Sequence, residues 1–194
     1  LAKDSIVLPR ALFVISTTTG GTPQTNLDLM RAISDKYSCY LLRCDKSTIY
    51  LSRLVNGELQ SIEETHLGVS INALEHRSEE NDIIVAEILF KHKIELLHIR
   101  HIAWHSLNLP SIAKSMNIPV IYSMHDFYSI CPTVTLSNES GKYCSGTCNN
   151  KNKDCKAALW EDGEITNLKN NYIYRWREQF NEFLTYCDAV ITTD

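Results

Sequence analysis

The stretch ALFVISTTTGG, residues 11–21, decides the fold. It begins with five apolar residues and ends in a run of threonines followed by Gly20 and Gly21. A short apolar run that is closed by a glycine turn is typical of a buried strand. After this turn, apolar side chains recur at helical spacing, which predicts a helix packed back on the strand. These apolar positions are Leu27, Met30 and Ile33.

The alternation of strand and helix continues along the chain. Further strands are predicted over residues 38–44, 94–99, 118–123 and 188–192, and further helices over residues 78–92, 107–116 and about 168–187. Residues 48–62 are predicted to form a hairpin that turns at Asn56-Gly57. Strands that alternate with helices pair in parallel through right-handed crossovers. The sequence therefore predicts a doubly wound, Rossmann-like α/β sheet decorated by one hairpin.

Length and composition indicate one ordered domain. The chain has 194 residues, a formal net charge of -4 and 44% hydrophobic residues, so we expect residues 1–194 to form a single domain. A basic stripe is absent, which argues against a nucleic-acid partner. No apolar run approaches the roughly 20 residues of a membrane span and no signal peptide is recognised, so a cytoplasmic location is expected. A further domain is expected beyond Asp194.

A cysteine-rich insertion is predicted over residues 127–167, where the periodicity vanishes. A loop with so little apolar surface needs another source of folding free energy, and four thiolates around one Zn²⁺ would supply it. We therefore favour a structural Zn²⁺ over disulfides or free thiols, and an iron–sulfur cluster remains an alternative. The four candidate ligands are Cys131, Cys144, Cys148 and Cys155.

Polar residues follow the predicted strands at the edge where ligands bind in open parallel sheets. His125 and Asp126 follow the strand over residues 118–123, and His101 follows the strand over residues 94–99. The His125-Asp126 pair is predicted to be catalytic, because an imidazole beside a carboxylate can transfer protons near neutral pH. The alternative is a turn aspartate with an incidental histidine. His101 is predicted either to touch substrate or to be a partly buried loop histidine.

Two further hypotheses concern the same edge. The backbone amides at Gly20 and Gly21 could bind phosphate, although a glycine turn after a strand is often only structural. A metal-dependent hydrolase could use the closely spaced histidines together with Asp126, but a strand-to-loop transition between them disfavours a shared metal. These histidines are His98, His101 and His105.

Four features in order resemble the retaining GT-B glycosyltransferases of family four. They are the turn at Gly20-Gly21, the segment LLHIRHIAWHS at residues 96–106, the segment NIPVIYSMHDFYSICP at residues 117–132, and the closing YCDAVITTD at residues 186–194. The resemblance covers most of the chain and implies the acceptor-side half of a GT-B enzyme, truncated before its donor-binding domain.

This resemblance implies transfer of a sugar from a nucleotide-diphosphate donor to a glycan, lipid or other acceptor, with retention and with no cofactor required for catalysis. His125 and Asp126 would be catalytic, and the Gly20-Gly21 amides would stabilise the departing phosphate. His101 and Tyr128 would contact substrate. The fragment alone would be an inactive hexosyltransferase half, and the full-length protein would associate peripherally with membranes.

A hypothesis of a different class is a non-catalytic module. In that alternative, a flavodoxin-like domain binds a carbohydrate or phosphate ligand, and the cysteine-rich segment forms a zinc knob that contacts other proteins. Such a module would need no second domain.

Overall fold

The computed structural model describes residues 7–72, 75–137, 140–148, 155, 159–160 and 172–192. Within these ranges the chain forms seven strands and four helices. In chain order they are β1 (Arg10–Ile15), α1 (Gly21–Ala32), β2 (Ser38–Cys44), β3 (Thr48–Val55), β4 (Glu58–His66), α2 (Glu79–Lys91), β5 (Leu96–Ile99), α3 (Leu109–Ser115), β6 (Val120–Met124), α4 (Ile173–Thr185) and β7 (Ala189–Thr192).

All seven strands belong to one mixed sheet with the order β4-β3-β2-β1-β5-β6-β7. Strand β1 pairs in parallel with β2 and with β5, and the parallel pairing continues through β6 to β7. Strands β3 and β4 are antiparallel and extend the sheet beyond β2. The predicted α/β class is confirmed, and the predicted hairpin is part of the main sheet.

The hairpin turn lies at the predicted dipeptide. Asn56 has φ 53° and Gly57 has φ 81°. Positive φ at both central residues is the geometry that matches the twist of antiparallel strands, and Asn-Gly adopts it with little strain. The local sequence therefore determines this connection.

Helix α1 begins earlier than its apolar spacing predicts. It starts at Gly21 and includes Pro23 in its first turn, where the missing N–H of proline has no intrahelical partner to lose. Helix α4 begins at Ile173, and the start predicted near residue 168 lies outside the described residues.

The central strand β1 is buried on both faces. On one face, Ala11, Phe13 and Ile15 pack with Met30 of α1. On the other, Leu12 and Val14 belong to the larger cluster that includes α2, α3 and α4. Helices thus cover both faces of the sheet, which leaves the ends of the strands for polar groups.

Tyr128 joins the segment after β6 to the core. Its side chain is 1% exposed, and its hydroxyl lies 2.8 Å from His76 Nε2 and accepts a hydrogen bond from Trp160 Nε1 at 3.1 Å. Trp176 Nε1 of α4 donates to the Tyr128 backbone carbonyl at 2.8 Å. These contacts fix the path of the chain where it leaves the sheet edge.

No helix in the described part of the chain is both long enough and apolar enough to cross a bilayer.

We predict that Tyr128→Phe lowers the free energy of unfolding by about 1–3 kcal/mol. The substitution leaves the buried His76 and Trp160 groups without a hydrogen-bond partner at this position. Urea unfolding of the variant measures the loss, and Tyr174→Phe, at a residue that is 63% exposed, is the matched control. Equal stability of the two variants would contradict this role of the hydroxyl.

Three buried histidines should make stability depend on pH. Burial lowers the pKa of His76 to about 3 and the pKa values of His98 and His105 to about 4. Between about pH 4 and 6.5 the unfolded chain binds more protons than the folded chain, so stability rises with pH and is lost as the pH falls.

Each of these histidines contributes a slope of up to about 1.4 kcal/mol per pH unit in that window. Denaturant unfolding at several pH values measures the slope, which His105→Gln should reduce by about a third. A slope that is unchanged in the variant would refute the assignment.

Candidate functional site

The carboxyl ends of β1, β5 and β6 meet at one edge of the sheet, because these neighbouring strands run in parallel. Ser16 follows β1, Arg100 and His101 follow β5, and His125 and Asp126 follow β6. We call these five residues the rim. The predicted convergence of His101 and His125 at one edge is therefore observed.

His101 contacts polar groups through both ring nitrogens. Its Nδ1 lies 3.0 Å from Ser16 Oγ and accepts a hydrogen bond from the Ala103 amide at 3.3 Å. Its Nε2 lies 3.3 Å from Asp126 Oδ2. Since Nδ1 accepts from the amide, the neutral ring carries its proton on Nε2 and directs it at the carboxylate. The Ser16 hydroxyl donates to the Ala103 carbonyl.

Asp126 is held as a carboxylate. Burial alone would raise its pKa, but the hydrogen bond from His101 and the backbone amide of Tyr128, 2.8 Å from Oδ1, outweigh that effect and lower the pKa below its ordinary value. Asp126 is therefore an ionised acceptor at neutral pH, with both oxygens already oriented by the protein.

His125 is held in the neutral form. Its pKa is lowered first by burial and then by the positive charge of Arg100. Arg100 Nε donates to His125 Nε2 at 3.0 Å, so that nitrogen carries no proton. The proton of the neutral ring lies on Nδ1, and this N–H has no protein acceptor among the described residues.

Arg100 is the buried cation of the rim. It is 8% exposed, and burial lowers its pKa. Its Nη2 also donates to Thr25 Oγ1 of α1 at 3.1 Å. Arg100 thereby connects α1 with the loop after β6 and fixes the position of one relative to the other.

Two separate cavities flank the rim. One, of about 390 Å³, is lined by His125, Asp126, Phe127 and Ile130 and by Thr192 of β7. We call it the β6 cleft.

The second cavity, of about 460 Å³, lies beside the β1–α1 turn and includes Gly20. Gly20 has φ 91°, a backbone conformation that glycine adopts without strain, and Gly21 is the first residue of α1. A Cβ added at either glycine would meet nothing within 4 Å. The predicted glycine turn and the predicted His125-Asp126 pair therefore face different cavities.

Other predicted site residues lie away from both cavities. The Tyr128 hydroxyl is engaged in the core, although its ring packs 5.0 Å from that of His101. His98 Nε2 contacts Ser123 Oγ, and the fully buried His105 contacts the Ile15 carbonyl. His98, His101 and His105 thus share no partner, which gives no support to a shared metal.

Three of the four candidate cysteine ligands lie together. Cys131, Cys144 and Cys148 pack in a small cluster with Leu136 and Ile173, and none of the three is in a disulfide. Among the described residues, no group of three or more histidine, cysteine or carboxylate side chains is arranged to hold a metal ion. The zinc site stays a prediction.

Sequence reasoning missed Ser16 and Arg100. Both directly follow buried strands, in the same position relative to the sheet as His125. Their location at strand ends is the signal that could have identified them, because side chains at those positions converge on one edge.

Comparisons with known proteins returned no family model and no curated protein that matches the chain. One solved structure that matches is the secreted C11 cysteine protease iotapain from Bacteroides thetaiotaomicron, at 10% identity and a TM-score of 0.41. Another is a secreted C11 cysteine protease from the same organism in complex with an irreversible peptide inhibitor, at 8% identity and a TM-score of 0.38.

The matched region covers 66% of this chain but 49% and 45% of the two protease chains, so this chain spans about half of their length. At these identities and TM-scores no activity passes from the proteases to this chain.

The comparisons contradict the predicted membership in the family-four GT-B glycosyltransferases, because the solved structures named above are cysteine proteases. Four further predictions are wrong with it: the retaining sugar transfer, the hexosyltransferase activity, the nucleotide-sugar and glycan or lipid partners, and the membrane association. The alternative prediction of a carbohydrate- or phosphate-binding module is wrong as well. The physical reason is that glycine turns and polar strand ends recur in open α/β sheets whatever their function.

We predict that Arg100→Gln raises the pKa of His125. The substitution removes the positive charge that, after burial, most lowers that pKa. NMR titration of the His125 ring measures the change, and Arg53→Gln on β3 is the control, because Arg53 lies against the Tyr40 ring. The same His125 pKa in both variants would contradict the coupling.

Proposed function

We propose that the β6 cleft binds an extended peptide and polarises one of its carbonyl groups for hydrolysis. The observation that carries this proposal is the hydrogen bond from Arg100 Nε to His125 Nε2 at 3.0 Å. It assigns the ring proton to Nδ1 and makes His125 a neutral hydrogen-bond donor beside the cleft. A donor fixed in advance can stabilise the negative charge that develops on a carbonyl oxygen.

Asp126 supplies the complementary acceptor. It lines the same cleft as His125, and its carboxylate keeps further lone pairs beyond those used by His101 and Tyr128. A donor and an acceptor on adjacent residues suit the C=O and N–H groups of an amide. This pairing favours a peptide over a ligand that offers acceptors alone.

The walls of the cleft suit an extended chain with apolar side chains. Phe127 is 43% exposed and Ile130 is 40% exposed, although both are large apolar residues. Strand β7 is at the edge of the sheet, and all four of its residues are exposed. A peptide strand can add to such an edge through main-chain hydrogen bonds while its side chains enter the cleft.

In the proposed reaction, water adds to the carbonyl carbon and the C–N bond breaks. His125 Nδ1–H holds the oxyanion, and Asp126 takes the proton from water and delivers it to the leaving nitrogen. His101 acts behind Asp126 as a positioning residue. Ser16 is 1% exposed, so it cannot meet a substrate in this conformation.

Neither Cys131 nor Cys44 takes part in the proposed reaction. Cys131, which is nearest to the rim in sequence, has its Sγ 3.2 Å from Thr133 Oγ1. Burial raises the pKa of the Cys44 thiol to about 12, which leaves it protonated and a poor nucleophile. In the proposed reaction the rim residues His125 and Asp126 act in place of a thiol.

Three further proposals concern the domain organisation, the cysteine-rich insertion and the cellular location. We infer that residues 1–194 form one doubly wound, Rossmann-like domain with residues 127–167 as an insertion, which the coverage of both sheet faces supports. We propose that the four cysteines of the insertion hold a structural Zn²⁺, supported by the packing of three of them in one cluster. The cytoplasmic location is also a proposal, and the matched proteases are secreted proteins.

We predict that His125→Phe lowers the rate of peptide hydrolysis by about 100-fold or more, because it keeps a planar ring but removes the oxyanion donor. Cleavage of a fluorogenic peptide library by the intact chain measures the rate. His66→Phe, at an exposed position on β4, is the matched control and should retain activity. Absence of cleavage by the wild-type chain would refute hydrolysis, and equal rates in the two variants would remove His125 from the mechanism.

A further inference from the structure

A cavity of about 460 Å³ lies between the β1–α1 turn and the strands of the hairpin. We call it the hairpin pocket and define it by Gly20, Asn26, Arg43, Tyr50 and Ser52. Its volume falls in the range of small-ligand sites, which is about 300–1,000 Å³. It does not include His125 or Asp126, so its occupant is independent of the proposed hydrolysis.

Asn26 lines this pocket and carries an unsatisfied acceptor. The residue is 1% exposed, and its Nδ2 donates to Met30 Sδ at 3.2 Å. Its Oδ1 is buried and has no hydrogen-bond partner within the part of the chain that the structure describes. A buried carbonyl oxygen without a partner is costly, and native structures rarely retain one without a reason. An N–H group of a ligand would satisfy it.

Arg43 supplies positive charge to the same pocket. Its guanidinium lies 4.0 Å from the centre of the Tyr50 ring. Asp45 Oδ2 is 3.9 Å from Arg43 Nη1, which is longer than a direct hydrogen bond, and it also accepts from the Tyr50 hydroxyl at 2.9 Å. Among the described residues that line the pocket, Arg43 alone is charged.

The start of α1 adds to this positive potential. The helix has 12 residues, its N-cap residue Gly20 provides no side-chain cap, and its first turn contains no acidic residue. Free backbone N–H groups at a helix N-terminus favour anions. Together with Arg43, this end of the pocket suits a carboxylate.

The remaining wall is apolar. It includes the side chains of Leu27, Leu41 and Leu59. A ligand for this pocket therefore needs an anionic group, an N–H donor and an apolar body. Inorganic phosphate has the first feature and lacks the other two.

We propose that the hairpin pocket binds an α-amino carboxylate with an apolar side chain, with its carboxylate at Arg43 and its N–H at Asn26 Oδ1. A free amino acid and the C-terminal residue of a peptide share this chemistry. The two sources differ at the nitrogen, which is a charged ammonium in a free amino acid and a neutral amide N–H in a peptide.

Calorimetric titration of the intact chain with L-leucine and L-phenylalanine tests the proposal. At least one should bind, and the matching compounds without the carboxylate or without the nitrogen should bind at least ten-fold more weakly. For leucine these are leucinamide and 4-methylpentanoate. The dipeptide Ala-Leu distinguishes the sources, because tighter binding than leucine assigns a peptide C-terminus and weaker binding assigns the free amino acid.

Two pocket variants and one control complete the test. Arg43→Gln and Asn26→Leu should each weaken binding at least ten-fold, whereas Arg53→Gln, on β3 and outside the pocket, should not. Asn26→Leu should unfold at the same or a higher urea concentration than the wild-type chain, because it removes an unsatisfied acceptor. A clear loss of stability would instead assign Asn26 a structural role and overturn the proposal.

Absence of binding by both amino acids would overturn the proposal. Equal affinities in wild type and both pocket variants, or displacement of the bound amino acid by inorganic phosphate at equal concentration, would do the same.

Discussion

The parallel pairing of β1 with β2 on one side and β5 on the other is the constraint on which the rest of the molecule depends. Residues 11–15 of β1 are at most 3% exposed, so this strand can exist only when both of its edges and both of its faces are covered. Parallel neighbours need crossover helices, and these helices cover the faces. The same pairing brings the ends of β1, β5 and β6 to one edge.

At that edge the charged side chains of Arg100 and Asp126 are partly or fully removed from water, which costs free energy. Arg100 is buried, and a buried cation is stable only when its donors are satisfied. Its partners are His125, which follows β6, and Thr25 of α1. On the other side of the rim, Asp126 is compensated by His101 and by a backbone amide. His101 and His125 thus have different hydrogen-bond partners. The ring proton lies on Nε2 in His101 and on Nδ1 in His125.

The segment after β6 shows how the core fixes the site. Tyr128 is two residues beyond Asp126, and its hydroxyl and carbonyl are held by His76, Trp160 and Trp176. Because these partners are buried, the turn that contains Asp126 cannot shift without disrupting the core. The family resemblance implied that Tyr128 contacts substrate, whereas its structural role follows from side chains distant in the chain.

The sequence by itself determined the order of strands and helices, the Asn56-Gly57 turn and the position of His101, His125 and Asp126 at strand ends, because these features depend on local periodicity and turn chemistry. It did not determine the family, since the motifs that carried the resemblance are shared by many α/β sheets. Only the tertiary structure decided that Arg100 lies against His125 and that Asn26 and Arg43 line one pocket. Those contacts join residues from different strands and helices, and their distances are set by how the elements pack.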